Sequence, residues 1–258
     1  MNPSPKTVFS EIFDEMFANI VKTTNEFKIH SWKRRAEKIK EVDIFEYKLL
    51  ISILLSYENK FSEALKMAES LLPITTSPIQ RAMVLRTMGN INFIQLGGYL
   101  KSKDLYWEAY ELTHDESYFQ SCLLVATNFD LYDSRLEDMS TLNSSTKQEV
   151  QKKLNGLQEE INDINQHNLN IDIYREIMNH AYVIFFSHCS RQINRFPLIS
   201  DSNISTILFN DELDISTVEF LNDKMNEALV NLLDKYDYEE LLKYPVLFTA
   251  EDYSKRKY

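Results

Sequence analysis

The stretch SPIQRAMVLRTMGNINFIQLGGYLKSKDLYWEAYELT, residues 77–113, decides how the chain is read. Ser77 can cap the free N–H groups of a helix, and Pro78 at the first helical position forfeits no bond. Ala82, Leu85, Met88, Gly89, Asn92 and Leu96 then mark one helix, Gly97-Gly98 a turn, and Tyr99, Leu105, Tyr106, Ala109 and Leu112 a returning amphipathic helix. Two helices joined at a glycine pair predict an antiparallel hairpin.

Outward from that hairpin, Ile44 to Tyr57 reads as a helix, Asn59-Lys60-Phe61 as a turn, and Ser62 to Leu72 as a return helix closed by Pro73. Ser4-Pro5 repeats the helix-start pair, and Val8, Phe9, Ile12, Phe13, Met16, Phe17, Ile20, Val21 and Phe27 recur at helical spacing. That stripe is expected to pack on the next hairpin, or to form a partner or homodimer interface. Trp32, Lys33, Arg34, Arg35, Lys38 and Lys40 form the densest basic cluster, interrupted by Glu37 and Glu41, whose spacing favours ion pairs on a solvated helix face.

Composition bounds the fold in the same direction. With 258 residues, 44% of them hydrophobic, the chain can bury a sizeable core, and only 4 Gly and 6 Pro argue against the many tight turns of an all-β plan. The expectation is an all-α fold: stacked antiparallel hairpins over 1–142, then an acidic helical subdomain over 143–258, entered through the Ser-, Thr- and Asn-rich loop 140–146. Net charge is −11, and it is uneven: 15 Lys and Arg against 17 Asp and Glu in residues 1–130, 13 against 22 in 131–258. Such a balance disfavours binding to a phosphate backbone. Cys122 and Cys189 match no metal-finger or disulfide spacing, residues 1–6 carry no secretion-signal pattern, and no apolar run is long enough to cross a bilayer; a cytoplasmic location is expected, with no membrane partner.

In the second half, Thr146 and Glu149 can form a capping box for a helix carrying Val150, Leu154, Leu157, Ile161 and Ile164. A central helix follows through Tyr174, Met178, Ala181 and the apolar run Tyr182-Val183-Ile184-Phe185-Phe186. Within 197–213, Ile207-Leu208-Phe209 fits a short helix or a short strand; Ser216 and Glu219 predict another capped helix, and Tyr238 to Tyr244 a last helical turn before Pro245. The tail Lys255-Arg256-Lys257 is expected to be mobile.

Met88-Gly89, Gly97-Gly98-Tyr99 and Ala109 resemble one tetratricopeptide (TPR) unit, with a small residue at the helix crossing and an aromatic after the turn. Aromatics at 27, 61, 99 and 132 are spaced by 34, 38 and 33 residues, bracketing the family's period of about 34. Ser102 and Arg135 replace its small residue after the turn, and no Pro closes the central unit. The resemblance implies a right-handed solenoid that binds a peptide or partner protein without catalysis. Residues 81–129 are also loosely similar to the repeat region of peptide-receptor regulators of Gram-positive bacteria and phages, including arbitrium receptors, although their DNA-binding domain has no counterpart in this chain. For a bound peptide, Asn90, Asn92, Gln95, Gln120 and Asn128 are the candidate amide donors.

Two other classes compete. Arg175 and His180 match the Arg-x4–6-His pattern of HEPN ribonucleases, which implies an RNA-cleaving effector with His180 moving a proton and Arg175 steadying a phosphate. A structural subunit would instead use the N-terminal stripe. Glu176 and His180 could supply two metal ligands but lack a third in register, and no glycine-rich phosphate loop or Gly-x-Ser-x-Gly elbow is present, so no cofactor and no metal are expected.

Overall fold

A computed structural model describes residues 7–252. Ser4-Pro5 and the basic tail lie outside them. The chain divides into two compact units, one of residues up to 114 with 186–191, the other of 115–185 with 192 onward; the loop 140–146, the expected boundary, lies within the second.

In the first unit, α1 (Val8–Met16) is capped by Thr7, whose hydroxyl accepts from the Ser10 N–H at 3.2 Å. The apolar stripe predicted to run on to Phe27 is broken at Met16. Residues 18–25 are non-helical, Val21 bridges Cys189, and Asn25 caps a new helix, α2 (Glu26–Glu37). Phe27 therefore sits in the first turn of α2, 89% exposed, and anchors nothing. Ile12 and Met16 share a core with Trp32, Ala36, Leu50, Leu54 and Tyr57, so most of the α1 stripe is covered by α2 and by α3 (Ile44–Tyr57). Two members of the basic cluster are paired across helices rather than along their own: Arg35 meets Glu15 at 2.7 Å and Glu11 at 3.0 Å, and Lys33 meets Glu58 at 2.6 Å.

α3 turns at Asn59, in the left-handed region (φ 62°), into α4 (Phe61–Glu69). Phe45 and Leu49 of α3, Ala68 of α4, Leu71, and Val84 and Met88 of α5 (Pro78–Phe93) form the next core layer. Ser77 caps α5 as predicted, accepting from the Gln80 N–H, and Gly97 (φ 72°) supplies the turn into α6 (Tyr99–Thr113). A Cβ added at Gly89 would lie 2.6 Å from the Tyr106 ring, so the small residue at this crossing is a packing requirement. Both predicted hairpins are present.

The second unit departs from an all-α plan. α7 (Glu116–Asn128) is followed by a single 3-10 turn, Ser134–Glu137, where another hairpin was expected, and Tyr132 is exposed. α8 (Ser144–Gln166) is capped by Asn143 rather than Thr146, and buries Val150, Leu154, Leu157 and Ile164. α9 (Ile171–His188) follows, with Tyr174, Tyr182 and Phe185 fully buried. Then come three strands: β1 (Asn194–Ile199) pairs antiparallel with β2 (Ile204–Phe209), which pairs in parallel with β3 (Val246–Thr249) after α10 (Ile215–Leu232) and α11 (Tyr238–Leu241). The fold is thus mostly helical with one small mixed sheet.

Local chemistry accounts for that sheet. Two six-residue strands rich in Ile, Leu and Phe flank the polar turn Ser200-Asp201-Ser202-Asn203, a hairpin signal, and Pro197 is tolerated because β1 is an edge strand. The exposed edge of β3 is blocked by Asn222, whose side chain accepts from the Phe248 N–H (2.9 Å) and donates to the Phe248 carbonyl (3.0 Å) as a neighbouring strand would. α10 is capped by Asp214, which accepts from the Thr217 N–H at 2.7 Å, not by Ser216.

Candidate functional site

Of the amides proposed for a bound peptide, those in the first unit have different fates. Asn90 is exposed on α5; its Oδ1 accepts from the Tyr106 hydroxyl at 2.6 Å, and its Nδ2 has no hydrogen-bond partner among the described residues. Asn92 is only 6% exposed and donates to the Met88 carbonyl at 2.8 Å, so its amide serves the helix interior and reaches no ligand. Gln95 donates to the Ile91 carbonyl. Ile79, Met83, Arg86 and Asn90 follow at helical spacing on α5; Ile79, Arg86 and Asn90 are exposed and Met83 half-buried, opposite a face buried through Ala82, Leu85 and Gly89.

In the second unit Gln120 is half-buried on α7, eight residues before Asn128. Asn128 lines a pocket of about 310 Å³ built by one face of α7 (Leu124, Thr127, Asn128), one face of α8 (Lys153, Gly156, Leu157, Glu160), and Ile193, Asn194, Arg195 and Pro197 in and before β1. Asn128 is 8% exposed, and its side-chain amide makes no hydrogen bond among the described residues.

Beneath that pocket lies a buried ionic cluster that sequence reasoning missed. α7 ends in a Schellman arrangement: the Leu131 N–H reaches back to the Ala126 carbonyl at 2.9 Å, which places Asp130 at the left-handed position (φ 47°) usually given to glycine. Two arginines bind the carbonyls exposed at this helix end. Arg195 donates to Thr127 O at 2.6 Å, and Arg175 donates to Phe129 O at 2.9 Å and Asp130 O at 2.5 Å. Cations are favoured there by the helix dipole.

Arg195 also donates to Asp130 Oδ2 (2.7 Å), Glu160 Oε2 (3.0 Å) and the Tyr174 hydroxyl (2.8 and 3.1 Å), so every N–H of its fork is used, and its side chain is 8% exposed. Asp130 is wholly buried, and its Oδ1 has no partner among the described residues. Burial pushes its carboxyl up to about 8; Arg195 opposes the rise, while hydrogen bonding and charge from Glu160 add to it. Burial and Glu160 thus favour the protonated acid, against the pull of the Arg195 guanidinium 2.7 Å away. Burial likewise raises the Tyr174 phenol, although Arg195 draws it down. The available sequence signal was Arg195 itself, a lone charge inside the apolar run Ile193 to Ile199.

The Arg175–His180 pair does not converge on one site. Arg175 is engaged by the α7 carbonyls and by Asp172 at 3.4 Å, whereas His180 is half-buried near Glu176 and Lys235. Burial lowers the His180 imidazole, with Glu176 opposing and Lys235 reinforcing the shift. Glu176 is held by Lys235 (2.5 Å) and the Tyr236 hydroxyl (2.6 Å); burial raises its carboxyl, but those bonds outweigh it and leave the value low. Among the described residues no three His, Cys, Asp or Glu side chains gather to hold a metal ion, and no helix is long and apolar enough to cross a membrane.

No protein-family model matches the chain, and neither the curated proteins nor the solved structures contain a match.

Proposed function

We propose that this chain is a non-enzymatic regulator or adaptor that binds a peptide or partner protein through the exposed face of α5, in a TPR-like stack of hairpins. The observation that carries the reading is the α5 stripe: Ile79 is 65% exposed, and Asn90 presents an open Nδ2 that Tyr106 holds in place from behind. An apolar anchor and a fixed amide donor on one helix suit a partner backbone passing across it. The sequential cores shared by α1 to α3 and by α3 to α5 support stacked hairpins. The commitment of Arg175 to the end of α7 weighs against cleavage by the Arg175–His180 pair.

The test uses a tagged full chain expressed in its native host, with Ile79→Asp and Asn90→Asp as variants. Asn90→Asp keeps the acceptor for Tyr106 and removes only the donor. A stoichiometric protein or peptide captured by the parent chain and lost with both variants, at unchanged thermal stability, is the expected result. Equal capture by parent and variants overturns the assignment to α5.

A further inference from the structure

We propose that the pocket between α7, α8 and β1 binds a neutral heterocycle of the nucleobase class, its amide-like edge paired by the Asn128 side chain. Three features carry this. Asn128 is nine-tenths buried, lines the pocket, and has neither its carbonyl nor its amide group bonded among the described residues. Neither polar atom of its side chain is among the fully buried unpartnered ones, so the amide is reachable from the pocket and a ligand meets it by displacing water. An Asn amide offers one donor beside one acceptor, the pattern that pairs two-pronged with adenine.

The second feature is shape. Leu124, Leu157, Ile193 and Pro197 give the pocket apolar patches between its polar residues, and the volume of about 310 Å³ lies at the small end of the ~300–1,000 Å³ typical of small-molecule pockets. Gly156 faces this space from the middle of α8, and a Cβ added there would meet nothing within 4 Å. Glycine inside a helix is destabilising by about 1 kcal/mol relative to alanine, so packing gives no reason for it, whereas an open pocket floor does.

The third is charge. The N–H groups of Arg195 are all used within the protein, and Lys153 shares an exposed pair with Glu149 at 2.7 Å, so the buried cation of the pocket offers no donor to a phosphate or carboxylate. Glu160, with one oxygen on Arg195, adds a further acceptor at the rim rather than a demand for a cation. The ligand is therefore uncharged at the paired edge.

The test is calorimetric titration of the full chain with adenosine and, separately, uridine at up to millimolar concentration. Saturable single-site binding of either nucleoside is expected, weakened by about tenfold or more in Asn128→Leu and in Gly156→Leu. Gly156→Leu fills open space on a helix and preserves the fold, so it decides the matter if Asn128→Leu unfolds. Asn90→Asp, in the other unit, leaves nucleoside binding unchanged, which separates this site from the α5 face. N6,N6-dimethyladenosine, without the exocyclic donor, is expected to bind more weakly than adenosine. Absence of saturable binding for both nucleosides overturns the proposal, as does binding that neither variant weakens.

Discussion

Replacing Asp130 by asparagine is expected to stabilise the second unit progressively more as the pH rises from about 4 toward about 8, and to change it least below that range. The carboxyl is wholly buried between Arg195 and Glu160, and its value is raised from 3.8 to about 8 by burial, against the pull of Arg195. A raised folded-state value means that the native state holds a proton that the unfolded chain has released. The associated stability is complete below 3.8 and is lost as the pH climbs through about 8. Each pH unit in that window is worth at most about 1.4 kcal/mol, so the parent chain gives up to about 3 kcal/mol between about pH 5 and pH 7.5 that the variant does not. Asparagine is nearly isosteric with the neutral acid and retains an oxygen for Arg195.

Urea unfolding at both pH values reads the difference. It should be followed by far-UV circular dichroism, because Trp32 and Trp107, the only tryptophans, belong to the first unit. An Asp130→Asn chain less stable by about 3–5 kcal/mol at both pH values with an unaltered slope, the signature of a broken buried ion pair, refutes a protonated Asp130. Asp130 would then be a carboxylate whose charge Arg195 requires.

Two further substitutions probe the packing. Arg195→Met removes the donors that serve Thr127 O, Asp130, Glu160 and Tyr174, and is expected to cost about 3–5 kcal/mol in urea unfolding, since it leaves Glu160 without its cation and several buried acceptors without a donor. Gly89→Ala places a methyl group 2.6 Å from the Tyr106 ring, which is pinned through its hydroxyl to Asn90; a loss of about 1–3 kcal/mol in thermal or urea unfolding is expected, and a neutral effect would show that the α5–α6 crossing can relax.

The hairpins were legible because their signals are local. Ser77 caps from the position next to Pro78, and Gly97 supplies its own positive φ, so neither needs a distant partner to act. The break after Met16 was hidden because Phe17, Ile20 and Val21 continue the helical spacing; beyond the break Val21 pairs with Cys189, a partner that no window along the chain contains. The sheet escaped for a related reason. Ile204 to Phe209 is largely buried on both faces, with no clean apolar–polar alternation, and too short for its period to separate strand from helix, and β3 is only four residues whose partner is β2. The acid–arginine cluster was least accessible, since Asp130, Glu160, Tyr174 and Arg195 are joined only by tertiary structure. Asn128 was reached from sequence as an inward polar residue, but the pocket that gives it a use depends on α8 and β1.

The placement of Asn128 explains why so costly a cluster stands behind it. Asn128 is the last residue of α7, where helices ordinarily fray, and a recognition amide needs a fixed direction. At this end the Schellman turn, with Asp130 in the left-handed region at a cost of about 1–2 kcal/mol, closes the helix sharply. Arg195 holds the Thr127 carbonyl, in the peptide group just before the Asn128 Cα, and Arg175 holds the Phe129 carbonyl one peptide group further on, so the chain is fixed on both sides of Asn128. Arg195 is in turn oriented by Asp130, Glu160 and Tyr174, and Glu160 also lines the pocket. Ordinary capping would have ended α7 at lower cost; rigid support of the Asn128 amide at the pocket wall is what this arrangement adds.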